Sequence, residues 1–381
     1  MTSGKATHEQ LKRHNWQLLL RAVYSGGVNN RAALAQATGL AKPTVSDLIS
    51  ELMSEGFLEE GGIGESTESG GKRPRLLEFR PQARQIIGVS LDSHFIAAVL
   101  SNLSGQVIAQ HIADVGKHDV LTLLGNVING LVAQLDAPLL CISVGVPGLV
   151  DKAQGIVEVS NVLGWRNVHL AATLNEQYDV PIYVGNNTEL AALSQIAFAS
   201  DAPSQQNTPR SLVTVLLNDS VEVGIALDEV AYHGGSDIGC LRIAGVERLD
   251  SLLGWQAVQN RARELIQPGS YLAQFPLSYL YVRHAADHND AAALQLYQEL
   301  ADHLAHVFAW IIGLLRPNHV SLVGPIADMG DRLMRQVAAK VEYLLLPELV
   351  RHVHFSMADD AQRLSAHGAV AQALRNELGI L

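Results

Sequence analysis

The segment Tyr183–Leu193, YVGNNTELAAL, carries an apolar strand end into two asparagines and then into a run of small helix-forming residues. A strand that stops at a polar pair and continues as a helix is the repeating step of an α/β sheet. The carboxyl ends of such strands, at glycine-rich turns, are where open α/β sheets bind ligands. Asn186 and Asn187 are therefore candidate site residues. Their amides can hydrogen-bond, but they cannot take a proton at neutral pH as a carboxylate can.

The flanking sequence extends this reading. Upstream, LLCISVGVPGLVD (139–151) is a buried strand ending in a turn at Gly145, Pro147 and Gly148. VEVSNVLGW (157–165) and VPIYVGNN (180–187) bracket a helix expected over Leu170–Tyr178. Before them IIGVSLD, FIAAVLSN and QVIAQHIAD are three apolar segments separated by turn residues, as in an antiparallel meander, followed by a helix near Leu121–Leu135. Downstream, SLVTVLL opens a second α/β block. A long helical tract over Asp287–Leu315 then leads to the strand HVSLVG, and RLSAHGAVAQALRNEL closes the chain as an expected amphipathic helix.

The first eighty residues have a different texture. RAALAQAT (31–38) reads as a short helix broken by Gly39. A second helix starts at Ala41-Lys42-Pro43-Thr44, with Pro43 in the first turn where its missing N–H is not needed. Val45, Leu48, Ile49 and Leu52 form its inner stripe. Helix, glycine turn and second helix make a helix-turn-helix, in which the start of the second helix enters the major groove. Lys42, Thr44, Ser46 and Asp47 are the side chains available there for phosphates or base edges. A preceding helix from Asn15 to Tyr24 turns Trp16, Leu19, Leu20 and Val23 inward. Phe57–Glu60 and Leu76–Phe79 are expected as a two-stranded wing. The connecting loop ends in Lys72, Arg73 and Arg75, a basic edge suited to the DNA backbone.

Charge divides the chain in the same place. Residues 1–80 hold ten Lys+Arg against nine Asp+Glu, whereas the remainder holds 17 against 29, within a total of −11. An acidic body does not bind nucleic acid, but a neutral-to-basic arm can. At 381 residues, 48% hydrophobic and 17% charged, the chain is globular with two or three domains. Its two cysteines, Cys141 and Cys240, form no disulfide framework. The N-terminus has no signal-peptide core, and the longest apolar runs are too short to span a bilayer, so a cytoplasmic protein without a membrane partner is expected.

Taken in order, the SGGKRP wing, SVGVPGLVD, SNVLGW, VGNNTELAAL, GGSDIGC, RPNHVSLVG and AHGAVAQAL resemble the ROK family, named for its repressors, open reading frames and kinases. The resemblance covers nearly the whole chain. It implies an α/β protein, an N-terminal winged helix-turn-helix followed by a two-domain actin-like (ribonuclease-H-like) sugar-kinase fold with the sugar in the interdomain cleft. The implied division is a DNA-binding domain at 1–80, a first actin-like domain at 81–195 with 360–381, and a second at 196–359 carrying oligomerisation helices. Family sugar contacts map onto Asn161, Asn186, Asn187, Asp237 and Asp250.

The kinase machinery of the family departs from its pattern at several points. The first phosphate loop reads Asp92-Ser93-His94-Phe95, with bulky groups in place of glycines. The second reads Asn218-Asp219-Ser220-Val221-Glu222, whose carboxylates repel phosphate. Asn187 takes the place of the catalytic aspartate, and Gly324-Pro325 replaces a glycine pair. The zinc cluster is missing too. Cys240 stands in place of its histidine, and the following LRIAGVERLDSLLGW has no cysteine, so Cys240 is expected to be a buried small residue and no metal or other cofactor is expected.

The expectation is a sugar-responsive transcriptional regulator, a repressor of carbohydrate metabolism genes. As a homodimer or homotetramer it would present its arms to a palindromic operator and bind a sugar or sugar phosphate without catalysis. Two alternatives stand beside it: a ROK-type sugar kinase with relocated chemistry, and a regulator controlled by a protein partner without a small-molecule effector.

Overall fold

The structure is a computed structural model that describes residues 3–64, 73–198, 211–228, 230–232, 237–243, 247–358 and 360–381, with side chains from residue 9 onward.

The N-terminal unit contains α1 (Ser3–Tyr24), α2 (Arg31–Thr38) and α3 (Lys42–Ser54), then the antiparallel strands β1 (Leu58–Ile63) and β2 (Arg75–Phe79). The Asn30 side chain caps α2 by accepting from the Ala33 N–H at 3.0 Å. Gly39, at φ +70°, ends α2 in the left-handed region that a side chain disfavours. Leu19, Leu20, Leu34, Val45, Leu48, Ile49 and Leu52 form its buried core, and Trp16 meets Phe57 edge-on at 5.3 Å. The first helix is twelve residues longer at its start than its apolar stripe indicates, because Ser3–His14 is polar helix. Lys72 of the basic edge lies outside the described residues.

Two five-stranded sheets form the body. The first has the order β10-β6-β3-β4-β5, from β3 (Gln85–Leu91), β4 (Phe95–Asn102), β5 (Val107–Asp114), β6 (Leu139–Val146) and β10 (Ile182–Asn186). Strands β3 to β5 are the antiparallel meander, and β6 and β10 join in parallel. Helix α4 (Val120–Val132) covers one side. A small sheet of β7 (Leu149–Asp151), β8 (Ile156–Ser160) and β9 (Trp165–Val168), followed by α5 (Leu170–Asn175), leads back to β10. Helix α6 (Asn187–Ala197) follows β10 directly.

The second sheet has β11 (Ser211–Leu217) and β12 (Val221–Leu227) as an antiparallel hairpin, with the short β13 (Val230–Ala231) at one edge. Two-residue strands β14 (Arg242–Ile243) and β15 (Glu247–Arg248) precede α7 (Asp250–Leu253) and α8 (Trp255–Leu265). The expected tract over 287–315 is the single helix α10 (Ala291–Leu315), which starts four residues later than expected and is preceded by a separate helix, α9 (Tyr279–Asp287). The break has a local cause: Asn289 turns left-handed at φ +59°, and Asp290 caps the new helix through the Ala293 N–H at 3.0 Å. The parallel strands β16 (His319–Val323) and β17 (His354–Ala358), with α11 (Asp331–Leu344) and α12 (Pro347–Val350) between them, complete the sheet.

The last helix, α13 (Ala361–Ala373), departs from expectation. It is buried along most of its circumference rather than amphipathic, because it lies between α6 and strands β3 and β6 of the first sheet. Small residues allow this. A methyl on Gly368 would overlap the Leu190 carbonyl oxygen of α6, and one on Gly88 of β3 would overlap that of Ala366. A π-helical turn over Leu374–Leu378 then reaches α1. No described helix is long and apolar enough to cross a membrane.

Candidate functional site

Four chain turns converge between the sheets: the β3–β4 turn, the β6–β7 turn, the β10–α6 junction and the tip of the β11–β12 hairpin. Asn186 and Asn187 sit at the third. Asn186 is 3% exposed and caps α6, its Oδ1 accepting from the N–H groups of Thr188 and Glu189 at 2.8 and 3.2 Å. Its Nδ2 donates to the Gly148 carbonyl at 2.9 Å and to Glu222 Oε2 at 3.2 Å. Asn187, equally enclosed, accepts from Ser90 Oγ at 3.1 Å and donates to the Leu91 carbonyl at 2.7 Å. A side chain on Gly145 would collide with Asn187 Oδ1, so that glycine is what admits the amide to the end of β3. Both side chains are thus engaged with their own scaffold.

Glu222 is the hub opposite them. Only 2% exposed, it also accepts from Thr188 Oγ1 at 2.9 Å and Ser220 Oγ at 3.1 Å. Burial raises its pKa above the ordinary carboxylate range, opposed by hydrogen bonds from Thr188, Asn186 and Ser220, with nearby Asp237 adding to the rise. Asp237 is half-buried, bridges Glu222 through the backbone, and accepts from the Gly239 N–H at 3.1 Å. Asp250 accepts from the Val221 N–H at 2.9 Å and lies so close to Gly239 that a side chain there would strike its carboxylate. Burial raises the Asp250 pKa as well. The chain therefore brings Asn186, Glu222, Asp237 and Asp250 into one connected group. Asn161, by contrast, is exposed on the turn after β8. In the sequence Glu222 registers only as a charge in the Asn218–Glu222 loop. The signal available was a glutamate inside VEVGIAL, an otherwise apolar strand.

The two loops that would face phosphates are bonded to each other. Asn218 Nδ2 donates to Asp92 Oδ2 at 2.6 Å, and Ser93 Oγ donates to Asp219 Oδ2 at 3.3 Å. His94 Nε2 lies 3.4 Å from the same Asp219 oxygen. The cavity that these residues line measures about 10 Å³, room for about one water. Cys240, expected to be buried, is exposed in the turn before β14, its thiol 3.5 Å from the Asp237 carbonyl. Among the described residues no three His, Cys, Asp or Glu side chains are grouped to hold a metal ion.

On the N-terminal unit, Lys42, Ser46 and Asp47 are exposed at the start of α3, and Thr44 is half-buried beside them. Arg73 and Arg75 are exposed on the wing. Arg75 is ion-paired with Glu60 across the wing, and Arg31 approaches the same carboxylate at 3.8 Å.

One further set of contacts joins the two regions. Ser365 Oγ, in the first turns of α13, donates to the Asn187 carbonyl at 2.9 Å. At the other end, Glu377 binds Tyr183 Oη and accepts from Arg13 Nη2 of α1 at 3.1 Å. Gln17 of α1 donates to the Glu377 carbonyl at 3.1 Å. Burial and the neighbouring Glu377 push the Tyr183 pKa well up, so the phenol keeps its proton.

A winged helix-turn-helix joined to a two-lobed actin-like α/β body defines the class of this protein. Sequence comparison agrees: the ROK family profile matches residues 86–244 and 255–376, and the IclR helix-turn-helix domain profile matches residues 29–62. The chain belongs to the ROK family. It is 26% identical to the xylose repressor of Bacillus subtilis over 351 residues, 89% of each chain. It is 30% identical to the xylose repressor of Caldicellulosiruptor bescii over 236 residues, 60% of this chain and 57% of that protein. Among solved structures, a ROK family transcriptional regulator described as a homolog of the E. coli MLC protein superposes with a TM-score of 0.80 at 22% identity, over 97% of this chain and 98% of that one. A ROK family glucokinase from Streptomyces griseus, solved with glucose and AMPPNP, gives 0.63 at 16% identity over 77% of this chain and 99% of its own.

Proposed function

We propose that this protein is a DNA-binding transcriptional repressor of carbohydrate metabolism genes. Its cleft senses a sugar or sugar phosphate and does not phosphorylate it. The observation that carries this reading is α13 with the π-helical turn that continues it: Ser365 of α13 touches Asn187 at one end, and Glu377 of the turn holds α1 of the DNA-binding unit at the other. A ligand that moves the cleft moves the mount of the arm. The xylose repressors among its relatives support the assignment of operator DNA and a sugar effector.

In the closed cleft, a ligand enters only if the contacts of Asn218 and Asp219 with the β3–β4 turn open. The effector would therefore bind the open lobes better than the closed ones, and that difference is what shifts the arm. Asn186, Asn187, Asp237 and Asp250 would exchange internal hydrogen bonds for sugar hydroxyls, with Asn161 at the rim. Lys42, Thr44, Ser46, Asp47, Lys72, Arg73 and Arg75 would face the operator. Absence of phosphoryl transfer follows from loops that hold each other where phosphates would lie, and from an amide at Asn187. A symmetric dimer would present two arms to a palindrome. Trp310, Leu314, Tyr343 and Leu344, exposed on the neighbouring helices α10 and α11, support such an interface.

Selection of bound fragments from source genomic DNA, with and without a panel of sugars and sugar phosphates, tests the reading. It predicts an enriched palindrome that one compound abolishes. Phosphorylated product on incubation with ATP and the same panel would replace it with the kinase. The nearly filled cleft favours one second reading, a regulator without a small-molecule effector. Enrichment indifferent to every compound would select that.

A further inference from the structure

A second cavity, of about 670 Å³, lies where the DNA-binding unit meets the body. That is within the ordinary size of a small-molecule site. His14, Gln17, Leu18 and Arg21 form one wall. They recur at three, four and seven along α1, which makes them a single stripe on the face opposite the buried Leu19, Leu20 and Val23. Leu193 and Ile196 of α6 form the floor, and Arg375 of the π-helical turn closes the far side. Neither arginine has a carboxylate within ion-pair distance among the described residues, although Asp228 lies on the same rim. His14 and Arg21 come from the arm and Arg375 from the acidic body, so two guanidiniums and an imidazole from both units surround one apolar floor.

We propose that this cavity is a binding site for a small phosphate monoester, separate from the interlobe cleft. Arg21 and Arg375 receive the phosphate, His14 donates to it, and the Leu193–Ile196 floor takes the carbon skeleton. Because α1, α6 and the π-helical turn all line the site, occupancy ties the arm to the body. The site is independent of the sugar reading of the cleft, and its test requires no operator.

The test uses the full-length protein, with inorganic phosphate, glucose 6-phosphate and glucose as probes in calorimetry, and hydrogen exchange of α1 as a second readout. Glucose 6-phosphate is expected to bind, inorganic phosphate to compete, and exchange from α1 to slow. Loss of one charge-assisted contact should weaken binding roughly ten- to hundredfold in Arg21→Gln or Arg375→Gln. Both side chains lack ion-pair partners, so the variants should melt like the parent. Heat that survives in the double variant would place the phosphate in the cleft and overturn the proposal. Absence of heat with both phosphates would overturn it as well. So would a double variant that loses only affinity for a random DNA duplex, because the cations would then serve the nucleic acid backbone.

Discussion

Asn187→Asp places a carboxylate where the family resemblance puts the catalytic aspartate of a kinase, and the structure says what it would do. Asn187 Nδ2 donates to the Leu91 carbonyl at 2.7 Å in a site only 5% exposed. An aspartate there meets a carbonyl lone pair unless it carries a proton. Burial and that carbonyl should raise its pKa by about two units above the ordinary 3.9, a penalty of about 2.7 kcal/mol once ionised. The sign follows from linkage. The folded state holds the proton more tightly, so stability matches the parent below about pH 4, falls through the window up to about pH 6, and stays lower above it. Urea denaturation of parent and variant at pH 4.5 and 8 measures the difference. No phosphoryl transfer to any sugar is expected, because Asp92, Ser93, Asn218 and Asp219 still close the phosphate side. Equal destabilisation at both pH values would refute the geometry assigned to Asn187. Phosphorylated sugar from the variant would refute the argument that more than one group was lost.

Lys42→Glu, at the exposed start of α3, should weaken operator binding and lower the slope of log affinity against log salt by about one, read from titrations at several salt concentrations. Glu60→Gln should act in the opposite direction, tightening DNA binding by releasing Arg75 and Arg31 from their shared carboxylate. Glu222→Gln keeps an acceptor for Asn186 and Thr188 while removing a buried charge. It should be more stable than the parent at pH 8, with the advantage vanishing as the pH falls toward 4.5, since the raised carboxyl pKa costs stability only once the group ionises. Gly368→Ala drives a methyl into the Leu190 carbonyl and should cost about 3 kcal/mol in denaturant unfolding, with a larger fall in effector response than in DNA affinity.

Alternation, glycine turns and helical stripes made the sheets, the meander and the helix-turn-helix legible, because each is a local pattern fixed by its own residues. α2 begins and ends at the expected residues because Asn30 and Gly39 are local signals. The last helix differs from its expected amphipathic form for the opposite reason. Its alanines and Gly368 look like one face of an amphipathic helix, and only the packed α6 and first sheet show that both faces are covered. The candidate site divides in the same way. Asn186 and Asn187 were visible as a strand-end pair, but their saturation by Gly148, Glu222, Ser90 and Leu91 joins residues that lie as far as 97 positions apart. The same holds for Ser365 and Arg13, whose roles depend on contacts across 178 and 364 positions.

The closed cleft constrains how an effector can work. On the proposed reading, admission of a sugar would break at least the Asn218–Asp92 and Ser93–Asp219 hydrogen bonds and the approach of His94 to Asp219. At about 1 kcal/mol for each hydrogen bond, and somewhat more for those to a carboxylate, opening costs about 2–4 kcal/mol. The apparent affinity of the open cleft for its ligand is then reduced by roughly thirty- to a thousandfold. On the proposed reading, such a cleft responds only to a ligand whose contacts with Asn186, Asn187 and the Asp237–Asp250 pair would exceed that cost. Asn218→Ala should therefore raise effector affinity while lowering the concentration at which DNA is released. Calorimetry and operator release should shift by the same factor, because both report one opening equilibrium. If affinity rises and release does not move with it, the hairpin tip gates entry alone, and the signal to the arm takes a route other than lobe opening.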